Sequence, residues 1–84
     1  MRLVFDADAT EDLRFWIETD RRKALKIIVL LQAAVKSTFD GMGKPEPLKF
    51  GLTGCWSRRI DQEHRFVYRV PGNEVIVLAC RHHY

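Results

Sequence analysis

The sequence predicts a small α+β fold, a two-layer sandwich with two N-terminal helices on one face of a mainly antiparallel four-stranded sheet, in the order β-α-α-β-β-β. Three observations predict it. Apolar residues recur at helical spacing through residues 8–37, strand-like runs separated by turn signals fill residues 55–81, and a stretch dense in glycine and proline divides them. The 84 residues have the length of a single domain, 1–84. A domain of that size buries only about 60% of its unfolded surface, which leaves room for one site and little else.

Taken in order, residues Arg2, Leu3, Val4 and Phe5 read as a short strand. Asp8-x-x-Glu11 offers a capping-box-like start to a helix that carries Leu13, Trp16 and Ile17 on one face and ends near residues 18–20. Asp20 then caps a second helix running to about Ser37, in which Ala24, Ile28, Leu31 and Val35 recur at helical spacing. Between Ala24 and Val35 only Lys26 and Gln32 are polar. Leu25, Ile27, Val29 and Leu30 therefore cannot all face one small core, and part of that surface is expected to meet a partner. A membrane span needs about 20 mainly apolar residues, and this run is shorter and interrupted.

Residues 39–52 include Gly41, Gly43, Pro45, Pro47 and Gly51, with Gly54 just beyond. So many chain-breakers exclude a regular helix or a central strand and predict a shaped loop. The remainder reads as strands over residues 55–60, 64–70 and 74–81, joined as two hairpins by Asp61-Gln62-Glu63 and Pro71-Gly72-Asn73. With the helices on one face, the other face of the sheet is expected to stay open.

Hydrophobic residues make up 46% of the chain, a globular rather than a disordered composition. The net charge of +3 is unevenly placed: residues 1–42 hold seven Lys/Arg against seven Asp/Glu, and residues 43–84 seven against four. His64, His82 and His83 lie in the same basic half. That half suits a polyanion such as RNA, and on charge alone it equally suits an ordinary solvated surface. Cys55 and Cys80 each sit inside a strand-like run, where a small buried thiol is the expected reading. Both are expected to be reduced, in a cytoplasmic protein. Three apolar residues before Asp6 fall far short of the apolar stretch of about 7–15 residues that a signal peptide needs.

Side chains alternate across a strand, so parity assigns faces. In the middle strand of the two hairpins Phe66, Tyr68 and Val70 suit the helix-covered core, which leaves Arg65, Val67 and Arg69 outward. A hairpin centred on Gln62 sets Arg59 opposite Arg65, an unfavourable pair of like charges unless an anion lies between them. A turn centred on Gly72 keeps the odd residues of the last strand on the same face and brings Arg81 and His83 towards it. The missing member is a carboxylate. Gly43-Lys44-Pro45-Glu46-Pro47-Leu48-Lys49 offers one, with two prolines bracing Glu46.

Metal-free RNA cleavage needs a base for the ribose 2′-hydroxyl, cations for the charge growing on the phosphate, and an acid for the departing 5′-oxygen. Glu46 fits the base, Arg65 the principal phosphate clamp with Lys49, Arg59, Lys44 and Arg81 beside it, and His83 the acid. Tyr84 can stack on a base or orient the phosphate. Neither a metal nor another cofactor is expected. Taken singly, Glu46, Lys49 and Arg59 are each ordinary surface charges, and His82-His83-Tyr84 an ordinary tail. A zinc site on His64, His82 and His83 lacks the usual ligand spacing. Trp56 and Arg58, of opposite parity to Arg59, belong on the helix side, and His64 reads as structural because its parity differs from that of Arg65.

Four motifs occur in order: Gly43-Lys44-Pro45-Glu46-Pro47-Leu48-Lys49, Leu52-x-Gly54-x-Trp56-Ser57-Arg58-Arg59-Ile60, Glu63-His64-Arg65-x-Val67-Tyr68, and Cys80-Arg81-x-His83-Tyr84. At these residues the chain resembles the YoeB/Txe toxins of bacterial toxin-antitoxin modules, a branch of the RelE-like ribosome-dependent endoribonucleases. The resemblance spans nearly the whole chain. It implies a RelE-like fold related to microbial RNases, and its catalytic glutamate, arginine, histidine and terminal tyrosine fall on Glu46, Arg65, His83 and Tyr84. It further implies cleavage of mRNA in the ribosomal A site, a separate YefM/Phd-like antitoxin protein as inhibitor, and a homodimeric toxin. Operator DNA is then met only through the toxin-antitoxin complex, which represses its own operon. Cys55, Phe50-Gly51 and the apolar Ile27-Ile28-Val29-Leu30-Leu31 depart from the family pattern. A rival reading is a toxin-like binding module that joins a partner and represses transcription with little cleavage. Growth arrest without any antitoxin separates the two.

Overall fold

The computed structural model describes residues 1–49 and 51–82. The chain runs β1 (Arg2–Phe5), α1 (Ala7–Thr19), α2 (Arg21–Lys36), β2 (Glu46–Pro47), β3 (Cys55–Arg59), β4 (Arg65–Arg69) and β5 (Glu74–Ala79). The α+β class and the order of elements are as expected. Helix α1, however, is capped by Asp6, whose carboxylate accepts the Ala7 N–H at 2.8 Å. Asp8 lies instead in the first turn, where its charge favours the positive end of the helix dipole. Asp20 joins the helices: its N–H donates to the Trp16 carbonyl at 2.8 Å and its carboxylate accepts the Arg22 N–H at 3.1 Å.

Among the described residues five strands form the sheet, in the order β1-β5-β4-β3-β2, with β1 parallel to β5 and every other pair antiparallel. The extra strand is the two-residue β2, inside the loop expected from its prolines and glycines. It fits because it lies at the sheet edge, where Pro47 has no second neighbour to which it must donate.

The helices cover one face. Ala9, Trp16, Ala24, Ile27, Leu30, Leu31 and Ala34 pack against Phe66, Tyr68, Val75 and Val77. The buried stripe of α2 is turned by about one residue from the expected one, so that Ile27 and Leu30 are fully buried and Ile28 is exposed. Apolar residues stand at both three- and four-residue spacings here, and periodicity cannot choose between adjacent stripes. Leu25, Ile28 and Val29 on α2 and Ile17 on α1 face outward. No helix among the described residues is long and apolar enough to cross a membrane.

The last hairpin departs from expectation. Its turn pairs Arg69 with Ile76 and Tyr68 with Val77, and a bulge then pairs Val67 with Ala79. Val75 and Val77 therefore face the helices, while Ala79 crosses to the other side. The extra residue in one strand reverses the parity, which alternation alone does not foresee. The second face is also partly roofed: Leu48 and Leu52 fold over Cys55, Val67 and Ala79. Both cysteines are free and buried.

The end of β5 is tied to α1. Trp16 Nε1 donates to the Cys80 carbonyl at 2.7 Å and the Cys80 N–H donates to Asp12 Oδ2 at 3.0 Å. Burial and the nearby Asp12 carboxylate push the Cys80 thiol up to about 12.

Candidate active site

Glu46 comes from the edge strand β2 and Arg65 from the first position of β4, with β3 between them. Glu46 pairs with Ser57, and Ser57 with Val67, so Arg65 lies two residues along its strand and reaches back diagonally. Its Nη1 stands 2.5 Å from Glu46 Oε1 and 3.4 Å from Ser57 Oγ. The small, buried Ser57 leaves space for the guanidinium to cross. Among the described residues Nε and Nη2 of Arg65 make no hydrogen bond, so they remain available to an anion. Half of the Glu46 side chain is open to solvent.

Arg59 does lie opposite Arg65, as the hairpin register required. An anion, Glu46, does lie beside Arg65, though among the described residues it makes no ion pair with Arg59. A carboxylate held against a guanidinium on an accessible sheet edge can take a proton while the cation faces a phosphate.

Arg58 holds the loop that leads into β2. It is fully buried on the helix side, as its parity predicted, and makes five hydrogen bonds. Nε meets the Tyr68 hydroxyl at 3.1 Å, while Nη1 and Nη2 gather the carbonyls of Met42, Ser37, Thr38 and Asp40. Tyr68 in turn donates to the Thr38 carbonyl at 2.7 Å. Burial raises the Tyr68 phenol above its ordinary value, against the pull of Arg58. Gly43 continues the same clamp: its carbonyl accepts the Arg59 N–H at 2.8 Å, and its φ is +84°. A β-carbon there would stand 2.8 Å from Leu30 Cδ2 and 3.1 Å from Arg58 Cβ, so any other residue would have to displace its neighbours as well as adopt a strained backbone. Apart from parity and the adjoining glycine-rich loop, nothing in the residues signals the Arg58 clamp.

Lys44, Lys49 and Arg59 are exposed, and no hydrogen bond or ion pair among the described residues joins their side chains to Glu46 or Arg65. Arg81 is not brought to the Glu46 edge. Its guanidinium lies 3.5 Å over the ring of Phe15 on α1, because β5 ends at Ala79 and the alternation that would carry Arg81 across no longer applies. His83 and Tyr84 lie outside the described residues. The last described residue, His82, donates its N–H to His64 Nδ1 at 2.7 Å and accepts the Arg65 N–H at 2.6 Å. His64 also packs edge-on to Trp16, at 4.8 Å between ring centres, which fits the structural part expected of it.

Asp61 closes the hairpin before β4. Burial alone would raise its carboxyl, but Lys23 at 2.8 Å and the N–H groups of His64 and Glu63 outweigh it and hold it at about 2.

A family model for the YoeB-like toxin of bacterial type II toxin-antitoxin systems matches residues 5–84. The chain belongs to this toxin family. Toxin RelK of Mycobacterium tuberculosis is similar to it at 52% identity over 85 residues, covering all of both chains. The solved YoeB/ParE toxin from Agrobacterium tumefaciens is 49% identical with a TM-score of 0.96, again over all of both chains. From Staphylococcus aureus, a YoeB dimer is 39% identical with a TM-score of 0.92, and a YoeB-YefM complex 38% identical with a TM-score of 0.90. Each covers 100% of this chain and 98% of its own. The chain is thus a toxin of a type II toxin-antitoxin system, with the YoeB fold.

Proposed function

We propose that this toxin, acting as a single domain, is a metal-independent endoribonuclease that cuts messenger RNA in the ribosomal A site, stopping translation and growth. The observation that carries the reading is the Glu46–Arg65 pair, a carboxylate and a guanidinium 2.5 Å apart on an accessible edge of the sheet. Glu46 takes the proton of the ribose 2′-hydroxyl, and the 2′-oxygen attacks phosphorus. Arg65, assisted by Lys49, Arg59 and Lys44, balances the charge on the phosphate. His83 protonates the leaving 5′-oxygen and Tyr84 stacks on a base or steadies the phosphate. Arg81, placed on Phe15, has no part in this clamp.

The reaction leaves a 2′,3′-cyclic phosphate and a 5′-hydroxyl. The ribosome supplies the splayed RNA in which the 2′-oxygen, phosphorus and leaving oxygen align, so free RNA is cut poorly. The partners that follow are a YefM/Phd-like antitoxin, a second toxin copy, the ribosome with its message, and operator DNA through the antitoxin complex, which represses its own operon. The site of action is the cytoplasm.

End-mapping of a translated message and of the same RNA without ribosomes tests this reading. Cuts within codons bearing cyclic phosphate ends, far more frequent on the translated message, are expected. Equal cutting of both RNAs overturns the ribosome dependence. The exposed Leu25, Ile28 and Val29 favour a second reading, a partner-binding co-repressor with little cleavage. Expression without antitoxin decides, since growth arrest with cut messages belongs to the nuclease alone.

A further inference from the structure

We infer that His64 is a positioning residue for cleavage: with the Arg65 amide it brackets the His82 peptide and so sets the direction in which the chain leaves towards His83. The inference rests on the nuclease reading above.

Regular pairing of β5 ends at Ala79, so among the described residues no sheet ladder holds those that follow it. Two bonds replace it at His82. His64 Nδ1 accepts its N–H at 2.7 Å, and the Arg65 N–H donates to its carbonyl at 2.6 Å. Both partners belong to one dipeptide, and Arg65 is also the residue whose guanidinium meets Glu46. His64-Arg65 therefore ties the proposed base and the approach to the proposed acid to a single point on β4.

The bracket is built to hold. The His64 N–H donates to Asp61 Oδ1 at 2.6 Å, and its ring stands against Trp16, itself bonded to the Cys80 carbonyl. Accepting at Nδ1 places the proton of the neutral ring on Nε2, 3.8 Å from Glu63 Oε2. His82 has φ +65°, a left-handed conformation that is strained for a non-glycine residue and persists where surrounding bonds over-determine it. His83 is one peptide bond further on. A misplacement of about 1 Å at a reacting group can slow a reaction on the order of 100-fold.

Two substitutions separate this role from packing. His64→Phe keeps a ring against Trp16 and removes the acceptor. His64→Asn removes the ring and keeps an oxygen where Nδ1 stood. The positioning role predicts that His64→Phe lowers kcat on translated message about 10- to 100-fold with KM unchanged, and that His64→Asn recovers most of the loss. Packing alone predicts the reverse order, and that result overturns the inference, as does full activity in both variants. Nitrogen-15 NMR of the unsubstituted protein tests the bracket without any cleavage assay: a bare Nδ1 and a protonated Nε2 are expected, and a proton on Nδ1 overturns the geometry. Should the bare Nδ1 be found in a protein that cuts no message at all, it is the nuclease reading that falls, and the positioning role falls with it.

Discussion

Arg65 crosses over Ser57 to meet Glu46, joining the edge strand to the middle of the sheet through side chains rather than through the ladder. The pair is half open to water, so its contribution to stability is modest, about 0–1 kcal/mol. Glu46→Gln keeps the shape and removes the proposed base. Cleavage of translated message is expected to fall by about 10²- to 10⁴-fold, with a urea midpoint close to that of the unsubstituted protein. A folded Glu46→Gln variant that still cuts would remove Glu46 from the mechanism.

Arg58 has the opposite balance. Arg58→Met leaves the carbonyls of Met42, Ser37 and Asp40 without their buried donor, while Thr38 keeps the Tyr68 hydroxyl. Each such group costs about 1–3 kcal/mol when left unsatisfied, so a loss of at least about 3 kcal/mol is expected in denaturant unfolding. A loss below about 1 kcal/mol would mean that water replaces the guanidinium freely.

Acid should weaken the hairpin before β4. The folded Asp61 carboxyl sits at about 2, below its ordinary 3.8, so its contribution is complete above pH 4 and is lost as pH falls towards 2. Because Lys23 and Asp61 both remain partly open to solvent, screening trims that contribution to on the order of 1 kcal/mol. Asp61→Asn should flatten the stability profile between pH 4 and pH 2, as followed by thermal melts; an unchanged slope would assign the acid sensitivity to other groups.

Cys80, buried and held protonated up to about 12, should resist alkylation in the native protein at neutral pH. Labelling with iodoacetamide is expected to proceed at the rate of unfolding and to accelerate in urea. Rapid labelling without denaturant would show that the end of β5 opens on its own.

Much of this arrangement was legible in the residues, because strong local signals set it. Asp20 between two apolar periodicities placed the helix junction, the glycines and prolines placed the loop, and the Gln62 hairpin fixed Arg59 opposite Arg65. What was not legible depends on tertiary contacts. The turn register that sets Val75 and Val77 inward, the bulge at Leu78 that sends Ala79 to the other face, the second strand carrying Glu46, and the stacking of Arg81 on Phe15 have no local signature. Nor does the choice of Ile27 over Ile28, where either residue would have satisfied the helical pattern.

The first strand lies parallel to the last, and β5 is the partner that links it to the rest of the sheet. A finished sheet therefore cannot form until β5 has been made, because the N-terminal strand must wait for it. While β5 is unmade or still inside the exit tunnel, Arg2 to Phe5 have nothing to pair with. A nascent chain halted before β5 should accordingly stay open to proteases; protease resistance in such a tethered, truncated chain would contradict that order of events.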